Sequence, residues 1–437
     1  MSTHAHHRAL LPAAVVAALA VWSHQALGSG FALFEQNTSG LGNAFAGAAA
    51  VGEDASTIYF NPAGMTRIKG RQVVGALSLI NVKLEFADNG GSSVPPLQSP
   101  GGGSGGDAGA LAALPAGYLS WELQPNRLWL GVGVGGPFGL ATEWNDGWVG
   151  RFHAIESAVE AININPSLAW KVNDQFSVGA GISIQRMKAT FSNAVPYALL
   201  AASLGVPGVA AGTEGVADIE GDSWSTGWNL GATWQVTPAT RLGAAYRSKI
   251  EHDIEGDIRF STRPAQLGAV VPDGDVEATV ELPDTFSLAV AHDVDARWQV
   301  LADYTWTGWG SIPELAILRP NGQAVSRVNL AFKDSWRIGL GANYRMDERW
   351  TLRLGVAYDR TPVQDAERTP RLPDMNRKWA SVGAQWRMSQ QLAFDVGFTY
   401  IFSSDASSDL RSTTAGNLTG KYSNKTWVLG GQARYTF

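Results

Sequence analysis

From Arg71 to the last residue, Phe437, the chain is a succession of runs in which apolar and polar residues alternate, each closed by turn-forming residues. The final run is the clearest. Trp427, Leu429, Gly431, Ala433, Tyr435 and Phe437 fall on one side, and Thr426, Val428, Gly430, Gln432, Arg434 and Thr436 on the other. A second run sets Trp350, Leu352, Leu354, Val356 and Tyr358 against Thr351, Arg353, Gly355, Ala357 and Asp359. Successive side chains of an extended strand point to opposite faces, so a period of two means a strand with two different faces. Aromatic residues at the ends of the apolar face, with charge kept to the face that also carries Gly and Ser, match a wall with lipid outside and a lumen inside. A soluble β-sandwich alternates too, but its exterior would be mostly polar.

Fourteen runs can be counted: 71–86, 116–123, 127–136, 159–172, 175–189, 223–236, 240–260, 276–294, 297–309, 333–346, 349–360, 377–387, 391–402 and 425–437. Six connections are short: Gln124-Pro125-Asn126, Asn173-Asp174, Thr237-Pro238-Ala239, Asp295-Ala296, Asp347-Glu348 and Met388-Ser389-Gln390. They alternate strictly with longer ones, as periplasmic turns alternate with extracellular loops in outer-membrane barrels. A closed barrel is also the β arrangement that leaves no edge in lipid. The expected fold is an all-β membrane protein, a 14-stranded antiparallel transmembrane β-barrel over residues 71–437 in the outer membrane of a Gram-negative cell.

Composition narrows the function classes. The chain has no Cys, which excludes disulfides, thiolate metal sites and Cys nucleophiles. A net charge of −6 argues against nucleic acid as a partner. No metal or other cofactor is indicated. Residues 1–28 read as a signal peptide: Arg8 precedes an apolar run from Ala9 to Val21, and Ala26 and Gly28 place small residues before a cut at Ser29. His4, His6 and His7 belong to that segment and are not read as a metal site. Residues 29–70 lack alternation but carry Phe31, Phe34, Leu41, Phe45, Ile58 and Phe60, too apolar for a disordered tail. A barrel this wide would leak if empty, so an N-terminal plug, or hatch, in the lumen is the economical expectation.

At these residues the chain resembles the FadL family of outer-membrane transporters for long-chain fatty acids and hydrocarbons. The resemblance rests on an ordered set: Ser29-Gly30-Phe31, Ser39-Gly40-Leu41-Gly42 and Asn61-Pro62-Ala63 in the plug, then Phe138 to Asp146, Leu282-Pro283-Asp284, Arg368, Leu372-Pro373-Asp374, Arg377 and Trp379. It implies uptake of a hydrophobic small molecule, most of all a long-chain fatty acid, with aromatic or alkane hydrocarbons as the alternative.

The residues offer parts for each step. Pro196 to Gly205 reads as a short helix that is apolar all round, so Leu199, Leu200 and Leu204 are candidate ligand contacts, or contacts with another loop. Leu315 to Leu318 supply a possible second wall. Gly131, Gly133, Gly135, Gly136 and Pro137 weaken the third strand, its partner carries Pro166 in mid-strand, and a kink or gap is expected there that takes in Phe138 and Gly139. The resemblance implies that such a kink opens the wall sideways into the bilayer. It also implies that the plug's N-terminus contacts ligand, a role that falls on Phe31 with Phe34 beside it. Arg186 and Lys188 are candidate cations for a carboxylate; strand parity turns both outward with Ile184, and the other reading is contact with lipopolysaccharide and outer-membrane lipid. The Gly-, Ser- and Pro-rich stretch from Asn89 to Gly109 is expected to be mobile. An outer-membrane lipolytic enzyme is the rival class, but His153, His252 and His292 have no evident Ser and orienting group in the local sequence.

Overall fold

A computed structural model describes residues 30–437. The segment read as a signal peptide, with His4, His6 and His7, lies outside the described residues. The strands are β1 (Arg71–Asp88), β2 (Leu111–Gln124), β3 (Leu128–Gly135, continued by Gly139–Glu143), β4 (Glu156–Lys171) and β5 (Phe176–Val195). Next come β6 (Gly215–Thr237), β7 (Thr240–Arg247 and Ile250–Phe260), β8 (Gly274–Leu282 and Thr285–Asp293) and β9 (Trp298–Thr307). The last are β10 (Ser335–Arg345), β11 (Trp350–Asp359), β12 (Arg377–Arg387), β13 (Leu392–Ser403) and β14 (Gly416–Thr436). Each pairs antiparallel with the next, and β14 returns to β1 from Gln72↔Thr436 to Asp88↔Gly420, closing a fourteen-stranded barrel. Further strand segments at Glu314–Leu318, Ala324–Asn329 and Ala406–Ser412 belong to extracellular loops.

The two faces follow the sequence pattern. Leu352, Leu354 and Val356 are exposed on the outer wall, while Arg353 and Asp359 are buried inside. Trp170, Trp234, Trp298, Trp350 and Trp386 stand exposed beside the short turns, the aromatic belt of one membrane interface.

Several strands run farther out than the sequence suggests: β2 begins at Leu111, β6 at Gly215 and β14 at Gly416. In the extra part of β6 the alternation is inverted. Ala217 and Ile219 are buried inside, and Asp218 and Glu220 face out. Above the bilayer the exterior is wet, so a search for apolar-out alternation stops at the lipid boundary.

Residues 30–70 fold inside. Three one-turn helices (Thr38–Leu41, Ala48–Val51 and Thr57–Phe60) and a 3-10 segment (Pro62–Arg67) touch strands all round the wall, including β1, β3, β5, β8, β12 and β14. Inward glycines make room for that approach. A Cβ on Gly243 would overlap the Ala49 carbonyl, and one on Gly355 would overlap the backbone of Asn43.

Candidate functional site

The ladder between β2 and β3 is interrupted part-way up the wall. β2 and β3 pair from Gln124↔Leu128 to Gly117↔Val134 and then part. Contact resumes only where Glu143 N donates to Ala108 O (3.1 Å). Between these points β3 has no ladder to β2. On its other side it pairs with β4 up to Gly135↔Asn163 and again from Gly139↔Glu160, so Gly136, Pro137 and Phe138 form the interruption. Pro166 faces Val132 on β3, while toward β5 the ladder skips it. Pro has no N–H to give, and Asn165 Nδ2 donates instead to the carbonyl of Ile182 (2.9 Å).

The plug fills the vacancy from within. Ala32 forms an antiparallel bridge with Phe138. Leu33 N donates to Pro137 O and Gly139 N donates to Phe31 O, both at 2.8 Å. Gln36 Nε2 adds a bond to Gly136 O (2.7 Å). The first residues of the plug therefore stand in for the missing strand at the kink. Phe31 packs against Phe138 (5.7 Å between centroids) and Trp309 (4.9 Å). Phe34 lies against Phe45 and beneath the Arg337 guanidinium (5.0 Å). Gly30 N donates to Asp374 Oδ2 (2.9 Å), which ties the limb to the sixth long loop. Behind the kink, Gln36, Ile58, Tyr59, Tyr118 and Asn163, among others, line a gap of only about 10 Å3.

Glu35, in the same limb, is buried and its Oε2 has no hydrogen-bond partner among the described residues. Burial pushes its carboxyl up to about 7, against the pull of Arg377 and Arg337.

The rest of the plug is held by charge. Arg353 of β11 binds both oxygens of Glu53 (2.8 and 2.9 Å) and Asp395 of β13 (2.9 Å). Gln385 donates to Glu53 (2.7 Å), and Gln432 of β14 donates to Asp54 (2.9 Å). Burial alone would raise Glu53, but the Arg353 guanidinium overrides it and holds the carboxyl at about 2. Asn61, of the Asn-Pro-Ala motif, accepts from Ala63 N (3.0 Å) and donates to Ala232 O of β6 (3.0 Å). Gly40, Leu41 and Gly42 run past β12, β13 and β14, where the Gly42 backbone meets that of Gly383.

Above the plug lies a narrow apolar cavity with a volume of about 40 Å3. Met187, Ala189 and Phe191 of β5, Ile219 of β6, Ile254 of β7, Val276 and Val280 of β8, and Leu315 and Ile317 line it. The last two belong to the fifth-loop hairpin, which touches β8 at Glu277↔Leu318, so the expected second wall is a strand. The helix of the third loop spans Tyr197–Ser203. It buries Tyr197 and Ala201 against Leu267 of the fourth loop, with Leu200 packed alongside. Leu199 is half-buried and Leu204 is exposed. The first loop, expected to be mobile, is tied down: Ser93 N donates to Asn417 O (2.9 Å) and Leu84 N to Asp107 Oδ1 (2.9 Å).

Arg186 and Lys188 need correction as lumen cations. Both project from the outer face of β5, as parity requires, and pair across the ladder with Asp222 (3.1 Å) and Glu220 (2.6 Å) of β6. Neither side chain faces the lumen.

One constellation escaped the sequence. Ser223 Oγ lies 2.8 Å from His252 Nδ1, and His252 Nε2 lies 3.1 Å from Gln185 Oε1. The three come from β6, β7 and β5, so only strand register brings them together. His292 meets Thr240 Oγ1 (2.9 Å), and His153 meets Gly416 O (3.1 Å).

A closed barrel with lipid-facing apolar strands, filled by its own N-terminal segment, defines the class: a plugged outer-membrane β-barrel. The family is equally plain. Residues 19–437 match the family described as outer membrane protein transport protein (OMPP1/FadL/TodX), and the chain belongs to it. A long-chain fatty acid transport protein of Escherichia coli O6:H1 is 28% identical, with 97% of this chain and 98% of that protein aligned. The crystal structure of a Pseudomonas aeruginosa FadL homologue superposes with a TM-score of 0.85 at 29% identity, covering 93% of this chain and all of the other. The Pseudomonas putida toluene transporter TodX superposes with a TM-score of 0.67 at 17% identity, over 94% of this chain and all of the other, a likeness of fold. The protein thus belongs to a family of outer-membrane transport proteins.

Proposed function

We propose that the protein takes up hydrophobic molecules, most of all long-chain fatty acids, and delivers them sideways into the outer membrane through the kinked third strand. The observation that carries this reading is the break between β2 and β3, closed only by the limb that bears Phe31. A hydrophobic solute entering from outside meets the helix of the third loop around Leu199, Leu200 and Leu204, then the apolar cavity beneath the fifth-loop hairpin. It then meets Phe31, Phe138 and Trp309. Moving the limb aside removes the bonds to Pro137 and Gly139 together and leaves the kink without an inner partner. No water-filled passage is needed, since the plug body remains docked. The FadL-type relatives favour fatty acids. The cluster of rings at Phe31 favours the second reading, uptake of aromatic or alkane hydrocarbons.

Transport rather than hydrolysis also fits the Ser223–His252 pair. His252 is wholly buried, and its second nitrogen meets the Gln185 amide where a hydrolase would place a carboxylate. On the outer wall, Arg186 and Lys188 are set to meet lipopolysaccharide phosphates.

The test is binding of oleate and of toluene to the refolded full chain, each repeated with Phe31→Ala. Saturable oleate binding weakened by the substitution supports fatty-acid uptake with a ligand-contacting plug. Preference for toluene moves the protein to the hydrocarbon reading, and binding of neither contradicts both.

A further inference from the structure

Seven arginines are buried among the described residues, and they differ in what answers their charge. Arg151, Arg337, Arg353, Arg368 and Arg377 each meet a carboxylate. Arg241 meets the carbonyls of Ala50 and Val51, which end a plug helix. Arg371, in the sixth loop, has neither. Its guanidinium donates to Ser157 Oγ (3.2 Å), Asn193 Oδ1 (3.0 Å) and the main-chain oxygen of Glu156 (3.4 Å), all neutral acceptors. No carboxylate oxygen of the described residues lies within ion-pair distance. Burial pulls its pKa down to about 10, which leaves it charged at neutral pH.

A desolvated cation without a counter-ion is costly, and a partner that brings an anion relieves that cost. The place of Arg371 says what kind of anion. Its Cζ lies 5.3 Å from the centre of the Phe191 ring, and Phe191 is part of the wall of the apolar cavity. One aromatic ring therefore separates a buried cation from a narrow apolar space. A linear molecule with a hydrocarbon body and a single carboxylate satisfies both at once, and an uncharged hydrocarbon satisfies only one.

We propose that Arg371 is a specificity-determining carboxylate anchor: an alkyl chain lies along Met187, Ile219, Ile254, Val276 and Ile317, and its carboxylate sits at the edge of Phe191 on the Arg371 guanidinium. This rests on the uptake reading and deepens it, since it selects a fatty acid over a hydrocarbon of the same length. It also assigns to the sixth loop the role that Arg186 and Lys188 do not fill.

The test is equilibrium binding of oleate and of oleyl alcohol to the refolded full chain, with Arg371→Met and Arg371→Lys. The unaltered protein binds oleate about tenfold more tightly than the alcohol, the scale of a charge-assisted hydrogen-bond pair. Arg371→Met brings oleate down to the alcohol's affinity and leaves the alcohol within about twofold, and Arg371→Lys restores part of the difference. Equal loss for both ligands would make Arg371 a brace for the sixth loop and overturn the anchor. An unchanged preference for oleate in Arg371→Met would overturn it too. If the unaltered protein binds both ligands equally, the anchor alone falls. If it binds neither, the uptake reading falls and the anchor with it.

Discussion

The plug has two parts that are held in opposite ways. The body, residues 37–70, is fastened by buried charge: Arg353 clamps Glu53 against Asp395, and Gln432 reaches Asp54. The limb, residues 30–36, has no ion pair among the described residues. It is held by backbone bonds to Pro137 and Gly139, by Phe31 against Phe138 and Trp309, and by Gly30 on Asp374. Breaking a buried ion pair leaves an uncompensated charge at a cost of about 3–5 kcal/mol. A backbone hydrogen bond contributes only about 0.5–1.5 kcal/mol net. The body is therefore built to stay and the limb to move. The carboxyls agree: Glu53 is held at about 2 and Glu35 is pushed up to about 7, one made to ionise and the other resisting it.

That contrast can be broken at its strongest point first. Arg353→Met strands Glu53 and Asp395 in the lumen and lowers stability by about 3–5 kcal/mol, read as an earlier urea midpoint of unfolding. A midpoint unchanged from the parent protein would mean that the ion network does not hold the body. Next is Gly243→Val, whose side chain would enter the space of the Ala49 carbonyl. Its cost is about 1–3 kcal/mol, with the plug body protruding or the barrel strained, and protease protection of residues 37–70 reports it. Phe31→Ala should leave global unfolding nearly unchanged while speeding amide exchange over residues 30–36. Equal exchange in limb and body would erase the distinction.

The smallest effect is that of pH. For Glu35 the folded value, about 7, lies above the ordinary 4.5, so the docked limb binds the proton more tightly than the free limb. Docking is strongest below about 4.5 and weakens as pH rises through about 7. For Glu53 the folded value is depressed, so its contribution stands above the ordinary carboxylate range and fades only toward about pH 2. Amide exchange in the limb should rise between pH 5 and 7 while the body stays protected, with the pH window set by the Glu35 shift.

The sequence carries the barrel well because lipid imposes a period of two on every strand, as in 350–358 and 427–437. It loses the outer ends of β6 and β14, where water replaces lipid and polar residues turn outward. The kink was legible in Gly135, Gly136 and Pro137, since each weakens a strand locally. Its inner partner was not, because Ala32 and Phe138 meet only when the plug is folded inside the wall. Arg371 and the Ser223–His252–Gln185 cluster were hidden for the same reason: each joins elements far apart in the chain. Inward glycines such as Gly243 and Gly355 were the available signal for the plug's path, legible once the strand faces had been assigned.

The central claim is that the limb must leave the kink for a solute to pass, and one cross-link tests it directly. Ala32 and Phe138 face each other as an antiparallel pair, and the chain has no cysteine of its own. In cells carrying the double variant Ala32→Cys/Phe138→Cys, uptake of labelled oleate should stop when the disulfide forms and return when it is reduced, with the Phe138→Cys single variant indifferent to oxidant. Undiminished uptake with the cross-link complete would contradict the account, because the path would then not run past the limb.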